Sequence, residues 1–101
     1  IPVTNIFHDI INYIFMDINE LISIVKKKLD SQITIQNIKI EDKSFLHKGH
    51  KGNDSHKFHL KVTIVSSELS KLKKIDSNRK IYKILEKELD KYIHSLQILI
   101  H

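Results

Sequence analysis

Seven histidines and no cysteine define the chemistry open to this chain of 101 residues. His47 and His50 repeat at i, i+3, as do His56 and His59, and His94 stands alone near the C-terminus. Without thiols there is no disulfide framework, no thiol nucleophile and no self-sufficient thiolate metal site. Histidine pairs with no cysteine or carboxylate in register read as a solvated loop that collects nickel or zinc adventitiously, rather than as a dedicated zinc site. For His94 the bland reading is a half-buried strand histidine, and the sharper one is a metal ligand. His59 opens an apolar run and is expected to face solvent. There is no nucleophile–base–orienter set, no phosphate-cradling loop opening a helix and no inward pair of carboxylates, so the chain is not read as an enzyme.

The net charge of +5 comes from 17 Lys and Arg against 12 Asp and Glu. It is placed unevenly: residues 1–25 carry Asp9, Asp17 and Glu20 and no Lys or Arg. Clustered positive charge draws nucleic acid, anionic membrane or acidic protein surfaces. All of the basic residues but Arg79 are lysine, however, and Ile and Asn are abundant too, which is the signature of A/T-rich coding. Arg79 is the more informative cation, because its planar fork of donors has no lysine equivalent. It is read either as the partner of Asp76 or another carboxylate, or as part of a binding surface.

These groups need elements to hold them. Phe7, Ile11, Ile14, Ile18, Leu21, Val25 and Leu29 step by three and four, the stripe of an amphipathic helix, with a break expected near Met16–Asp17. From Ile33 the period falls to two, through Ile35, Ile38 and Ile40, which is strand chemistry. Residues 42–57 hold both glycines and many small polar side chains, and so form a loop. Phe58, Leu60, Val62 and Ile64 make a second alternating strand. Residues 66–76 suggest a short capped helical turn. Residues 77–91 predict a helix with Ile81, Tyr82, Ile84, Leu85 and Leu89 inward, Asp76 or Ser77 as its N-cap and Glu86, Glu88 and Asp90 on a solvated face. Ile93–Ile100 reads as a third strand. The order α-β-β-α-α-β predicts an α+β two-layer sandwich, a three-stranded mixed sheet with helices packed on one face. No apolar run reaches the roughly 20 residues that span a bilayer.

Three segments resemble one family in order and at its spacing. His59-Leu60-Lys61-Val62-Thr63-Ile64-Val65-Ser66-Ser67-Glu68-Leu69 is similar to the strand and turn "HFKVVIVSDEF" of BolA-like proteins. Asn78-Arg79-Lys80-Ile81-Tyr82-Lys83-Ile84-Leu85 is similar to their helix "HRLVYKAL", and Ile93-His94-Ser95-Leu96 to their last strand. Ser44-Phe45-Leu46-His47-Lys48-Gly49-His50 resembles the loop "SHKHAGH" of some members. The likeness covers residues 17–100, most strongly 59–98. It departs at Lys71, where a glycine is customary, at Asn78, where a histidine precedes the arginine, and at Phe45, where many members carry a loop histidine.

The resemblance implies a fold close to the class II KH domain, with residues 1–16 as an N-terminal helical extension and 17–101 as the BolA-like domain. It implies a partner, a monothiol glutaredoxin, and a [2Fe–2S] cluster handled in iron–sulfur cluster assembly, transfer or iron regulation. His94 corresponds to the family's strand ligand, and His47 to its loop ligand, with His50 as the alternative. Imidazole replaces thiolate on one iron of Rieske centres. A chain without cysteine would therefore share the cluster, its partner supplying cysteine and glutathione. Histidine ligands bind as neutral imidazole, so retention is expected to weaken at low pH. The chain is expected to be a monomer alone and a heterodimer with its partner.

The alternative is a nucleic-acid-binding transcriptional regulator, with DNA as partner, using residues 66–91 as a helix–turn–helix-like basic region. Lys71, Lys73, Lys74, Arg79 and Lys80 would form that surface, or the one that meets the glutaredoxin. Gly49-His50-Lys51-Gly52 has the letters of the KH nucleotide-clamping loop but lies between strands, not helices. The chain opens on Ile1 rather than Met, and is read as part of a longer product.

Overall fold

The structure, a computed structural model, describes residues 16–44 and 57–101. The expected helical extension over residues 1–16 falls almost wholly outside the described residues, as do Phe45, His47, His50 and His56.

Asp17 is extended and its side chain accepts the Asn19 N–H at 3.1 Å, capping helix α1 (Ile18–Gln32) where the break was expected. Leu21, Val25 and Leu29 recur one turn apart and are fully buried. Ile33 is extended, and its N–H closes the helix on the Leu29 carbonyl at 2.9 Å. It is buried in the core from the helix end rather than from a strand. Strand β1 (Asn37–Asp42) therefore begins later than the alternation from Ile33 predicts.

Strand β2 (Phe58–Val65) pairs antiparallel with β1, Ile38 opposite Ile64 and Ile40 opposite Val62. It pairs in parallel with β3 (Ile93–Ile100), Leu60 beside Leu96 and Val62 beside Ile98. The sheet is thus mixed, in the order β1-β2-β3, as expected. Alternate residues Leu60, Val62 and Ile64 face the helices and join Leu21, Val25, Leu29, Leu69, Ile81, Leu85, Ile93 and Leu96 in one core. Full burial of each aliphatic side chain contributes roughly 1.5–3 kcal/mol, which is what anchors the strand register.

Between the parallel strands lie α2 (Ser67–Ser70), α3 (Lys74–Ile84) and α4 (Glu86–Lys91). Ser66 caps α2: its Oγ accepts the Leu69 N–H at 3.1 Å and donates to the Thr34 carbonyl at 2.7 Å, tying the crossover to the α1–β1 turn. Lys71, at the position where glycine is customary, is right-handed (φ −78°, ψ −15°). The turn asks for no positive φ, so lysine fits it without strain.

The expected helix over 77–91 is two. Helix α3 starts three residues earlier, after Lys73, with no side-chain cap. Asp76 sits in its first turn, and the buried Ser77 turns its hydroxyl to the Lys74 carbonyl at 3.0 Å. The path bends at Leu85 (φ −97°, ψ 18°), itself fully buried. Two side-chain expectations also change. Tyr82, expected inward, is 43% exposed and reaches only its hydroxyl to the Leu96 carbonyl, at 3.1 Å. Glu88, expected on the solvated face, is 6% exposed and meets Lys28 of α1. Among the described residues no helix is long and apolar enough to cross a membrane.

Candidate functional site

Ile93 and Leu96 are three residues apart, yet both are buried in the core. An unbroken strand would send them to opposite faces, since side chains alternate. The register resolves the conflict: Phe58 pairs with Ile93 and His59 with Ser95, so His94 is an extra residue in a β-bulge. A bulge leaves one residue unpaired and re-aims its side chain. His94 is exposed there, beside the start of β2.

Its neighbour is His59. The two ring centroids are 4.9 Å apart with planes inclined at 59°. His59 is 4% exposed, which corrects the expectation that it faces solvent. Its Nδ1 shares a 2.7 Å hydrogen bond with the Ser95 hydroxyl. Its backbone is held as well, the N–H donating to Ser44 Oγ at 3.1 Å and the carbonyl accepting the Lys43 N–H at 2.7 Å. One exposed and one buried imidazole thus meet where β1 ends and where β2 and β3 begin. Residue 44 leads directly into the segment carrying His47 and His50, both outside the described residues. Among the described residues no group of three histidines or carboxylates converges to hold a metal ion. His94 is the exposed imidazole available to an external group at this place.

The sequence singles out His94, sets His59 on a solvent face and gives Ser95 and Ser44 no role. The missed signal was parity: Ile93 and Leu96 cannot share a face unless the strand is bulged between them.

The cationic residues lie elsewhere. Lys71, Lys73, Lys74, Arg79 and Lys80 are all exposed on the α2–α3 turn and on α3. This crossover leaves from the far end of the sheet, where the Ser66 N–H meets the His101 carbonyl at 3.3 Å. His94 stands at the opposite end of β3. Lys80 is paired with Glu68 at 2.6 Å. The Lys80 ammonium, and after it the Thr34 N–H, hold the Glu68 carboxyl below its ordinary range. Arg79 makes no ion pair among the described residues, so of its two readings the pairing with Asp76 or another carboxylate is not seen there. Leu72 and the 56% exposed Ile75 stand among these cations. In region 66–91, α2 is a single turn of 4 residues, α3 has 11 and α4 has 6.

The family model for BolA-like proteins matches residues 29–101. The chain belongs to the BolA-like family. A relative from Haemophilus influenzae named DNA-binding transcriptional regulator BolA is 31% identical over 75 residues, 74% of this chain and 70% of the relative. The chloroplastic protein BOLA1 of Arabidopsis thaliana is 32% identical over 77 residues, 73% of this chain and 48% of the relative. Among solved structures, BolA1 from Arabidopsis thaliana superimposes with a TM-score of 0.67 at 29% identity, covering 79% of this chain and 88% of that one. The BolA domain of SufE1 from the same plant gives 0.66 at 28% identity, over 77% and 86%. The α+β sandwich with a three-stranded mixed sheet is therefore the BolA fold, and β3 with its bulged His94 belongs to the matched region.

Proposed function

We propose that this BolA-like protein shares a [2Fe–2S] cluster with a monothiol glutaredoxin and acts in the assembly or transfer of such clusters. The observation that carries the reading is the exposed His94 ring, presented by a bulge at the sheet end from which the chain runs on toward His47. Imidazole is an accepted iron ligand in two-iron clusters, so the residue type fits. These 101 residues hold no cysteine, so they would offer the cluster imidazole only, with thiolates supplied by partner cysteine and glutathione. His94 would hold one position from a strand anchored by Ile93 and Leu96 in the core. His47, or His50 in its place, would bring the second. The protein's own contribution is to present these imidazoles and to dock the thiolate-bearing partner.

The test is reconstitution with a monothiol glutaredoxin, iron, sulfide and glutathione, followed by visible absorption and circular dichroism. His94→Ala should abolish or reshape the spectrum. His47→Ala should do so less, because His50 stands three residues away. An unchanged spectrum and unchanged complex with His94→Ala would remove the assignment.

A second reading has the names of two relatives behind it, each a DNA-binding transcriptional regulator. Here Lys71, Lys73, Lys74, Arg79 and Lys80 would neutralise phosphates. Helix α3, on which Lys74, Arg79 and Lys80 are exposed, would supply three of those contacts and the α2–α3 turn the others.

A further inference from the structure

The geometry points to His59 as the residue that positions the His94 ring. This inference rests on the reading of His94 as a cluster ligand, and adds a role for a histidine that need not touch iron. A bulged residue has no ladder partner to steady it, and an exposed histidine on a strand ordinarily samples several rotamers. Among the described residues, the ring packed against His94 is that of His59. His59 is 4% exposed, its ring shares a 2.7 Å hydrogen bond through Nδ1 with Ser95, and its backbone N–H and carbonyl are bonded to Ser44 and Lys43. The His59 ring centroid lies 4.9 Å from that of His94, within the range at which aromatic rings pack, and the 59° tilt lies between stacked and edge-to-face. Ser95, the residue after the bulge, thus fixes the wall against which the residue inside it leans. A ligand ring held in one orientation before the partner arrives loses less rotational freedom on binding.

The arrangement also separates two jobs by burial. His59 is buried and tied to a hydroxyl, whereas His94 is exposed. His59 is therefore a positioning residue rather than a ligand, and Ser95 positions His59 in turn.

The test begins with the protein free of any cluster, so that it reads the ring directly. Three-bond couplings give the χ1 populations of His94 in the native sequence and in His59→Ala, His59→Phe and Ser95→Ala. Backbone amide spectra confirm that each variant is folded, and His59→Phe and Ser95→Ala carry the test should His59→Ala fail to fold. We expect one dominant His94 rotamer in the native protein, averaging in His59→Ala, restoration in His59→Phe, whose ring keeps the wall, and partial averaging in Ser95→Ala. In the complex reconstituted with a monothiol glutaredoxin, His59→Ala should keep the shape of the visible spectrum but release the cluster several-fold faster, with His59→Phe near the native rate.

An unaltered His94 rotamer in both His59→Ala and Ser95→Ala would overturn the proposal. So would loss of the spectrum in His59→Phe with the His94 rotamer intact, since that outcome would make His59 a ligand. If instead the rotamer responds as expected while His94→Ala leaves the spectrum unchanged, the positioning stands and the cluster reading fails.

Discussion

Lys28 Nζ sits 2.9 and 2.8 Å from the two carboxylate oxygens of Glu88, joining α1 to α4 across 60 residues of sequence. The pair is lopsided: the Lys28 side chain is 34% exposed and that of Glu88 only 8%. Removing one member of a buried pair is costly chiefly because the other is left charged and dry.

The two deletions should therefore differ. Lys28→Met strands a buried carboxylate and is expected to cost about 3 kcal/mol, whereas Glu88→Gln leaves a lysine that can turn to water and should cost about 1 kcal/mol. Urea unfolding of both variants checks this. Equal losses would mean that the Glu88 site is wetter than its burial indicates.

Tyr82 is exposed over its ring but donates its hydroxyl to the Leu96 carbonyl at 3.1 Å. Tyr82→Phe should lower stability by about 0.5–1.5 kcal/mol, the usual net worth of such a bond. Hydrogen exchange along β3, compared between native protein and variant, would show whether protection is lost around Leu96 in particular.

Ile81 is fully buried at the centre of the core. Ile81→Ala should cost about 2–5 kcal/mol, from lost transfer free energy and the cavity left behind. Exposed Ile75, six residues earlier on α3, should tolerate alanine within roughly 0.5 kcal/mol. Thermal unfolding of the two variants side by side separates a core position from a surface one.

The Glu68 carboxyl is held below its ordinary value of 4.5, first by the Lys80 ammonium and then by the Thr34 N–H. A carboxyl depressed in the folded state favours folding above its unfolded value, and that contribution is lost as pH falls through the folded value. Lys80→Ala should raise the Glu68 midpoint toward 4.5 in a carboxyl NMR titration and leave a shallower acid dependence of stability below it. A midpoint unmoved by the substitution would assign the depression to Thr34 instead.

The charge reading predicts how nucleic acid would bind. If phosphate contacts from Lys71, Lys73, Lys74, Arg79 and Lys80 are the whole interaction, affinity for duplex DNA should fall linearly on a log–log salt plot, with little dependence on sequence. Each lysine removed should lower the slope by about 1. A tight, sequence-dependent complex at physiological salt would favour the regulator reading over the cluster reading.

Much of the architecture was legible because burial imposes a period on the sequence. Leu21, Val25 and Leu29 announce a helix face, and Leu60, Val62 and Ile64 a strand face, since each set must reach the same core. The order of elements then limits the topology: a hairpin joins β1 to β2 antiparallel, and a helical crossover returns β3 parallel. His94 stands out as a candidate only through its place in a motif that resembles the family's.

What the sequence left open depends on contacts between residues distant along the chain. The end of α1 and start of β1 moved because Ile33 closes the helix on Leu29, which periodicity does not reveal. Glu88 looks solvated among its charged neighbours until α1 brings Lys28 against it. Tyr82 looks like a core residue by spacing, but its hydroxyl needs an acceptor that β3 supplies at the surface. At the candidate site, alternation along β2 assigns His59 to the face away from the core but says nothing of its burial. Its ring meets Ser95 and the bulged His94 of β3, and its backbone meets Ser44 beyond the end of β1. A linear pattern encodes which side of its own element a residue takes; which neighbour it meets there is decided only when the elements pack.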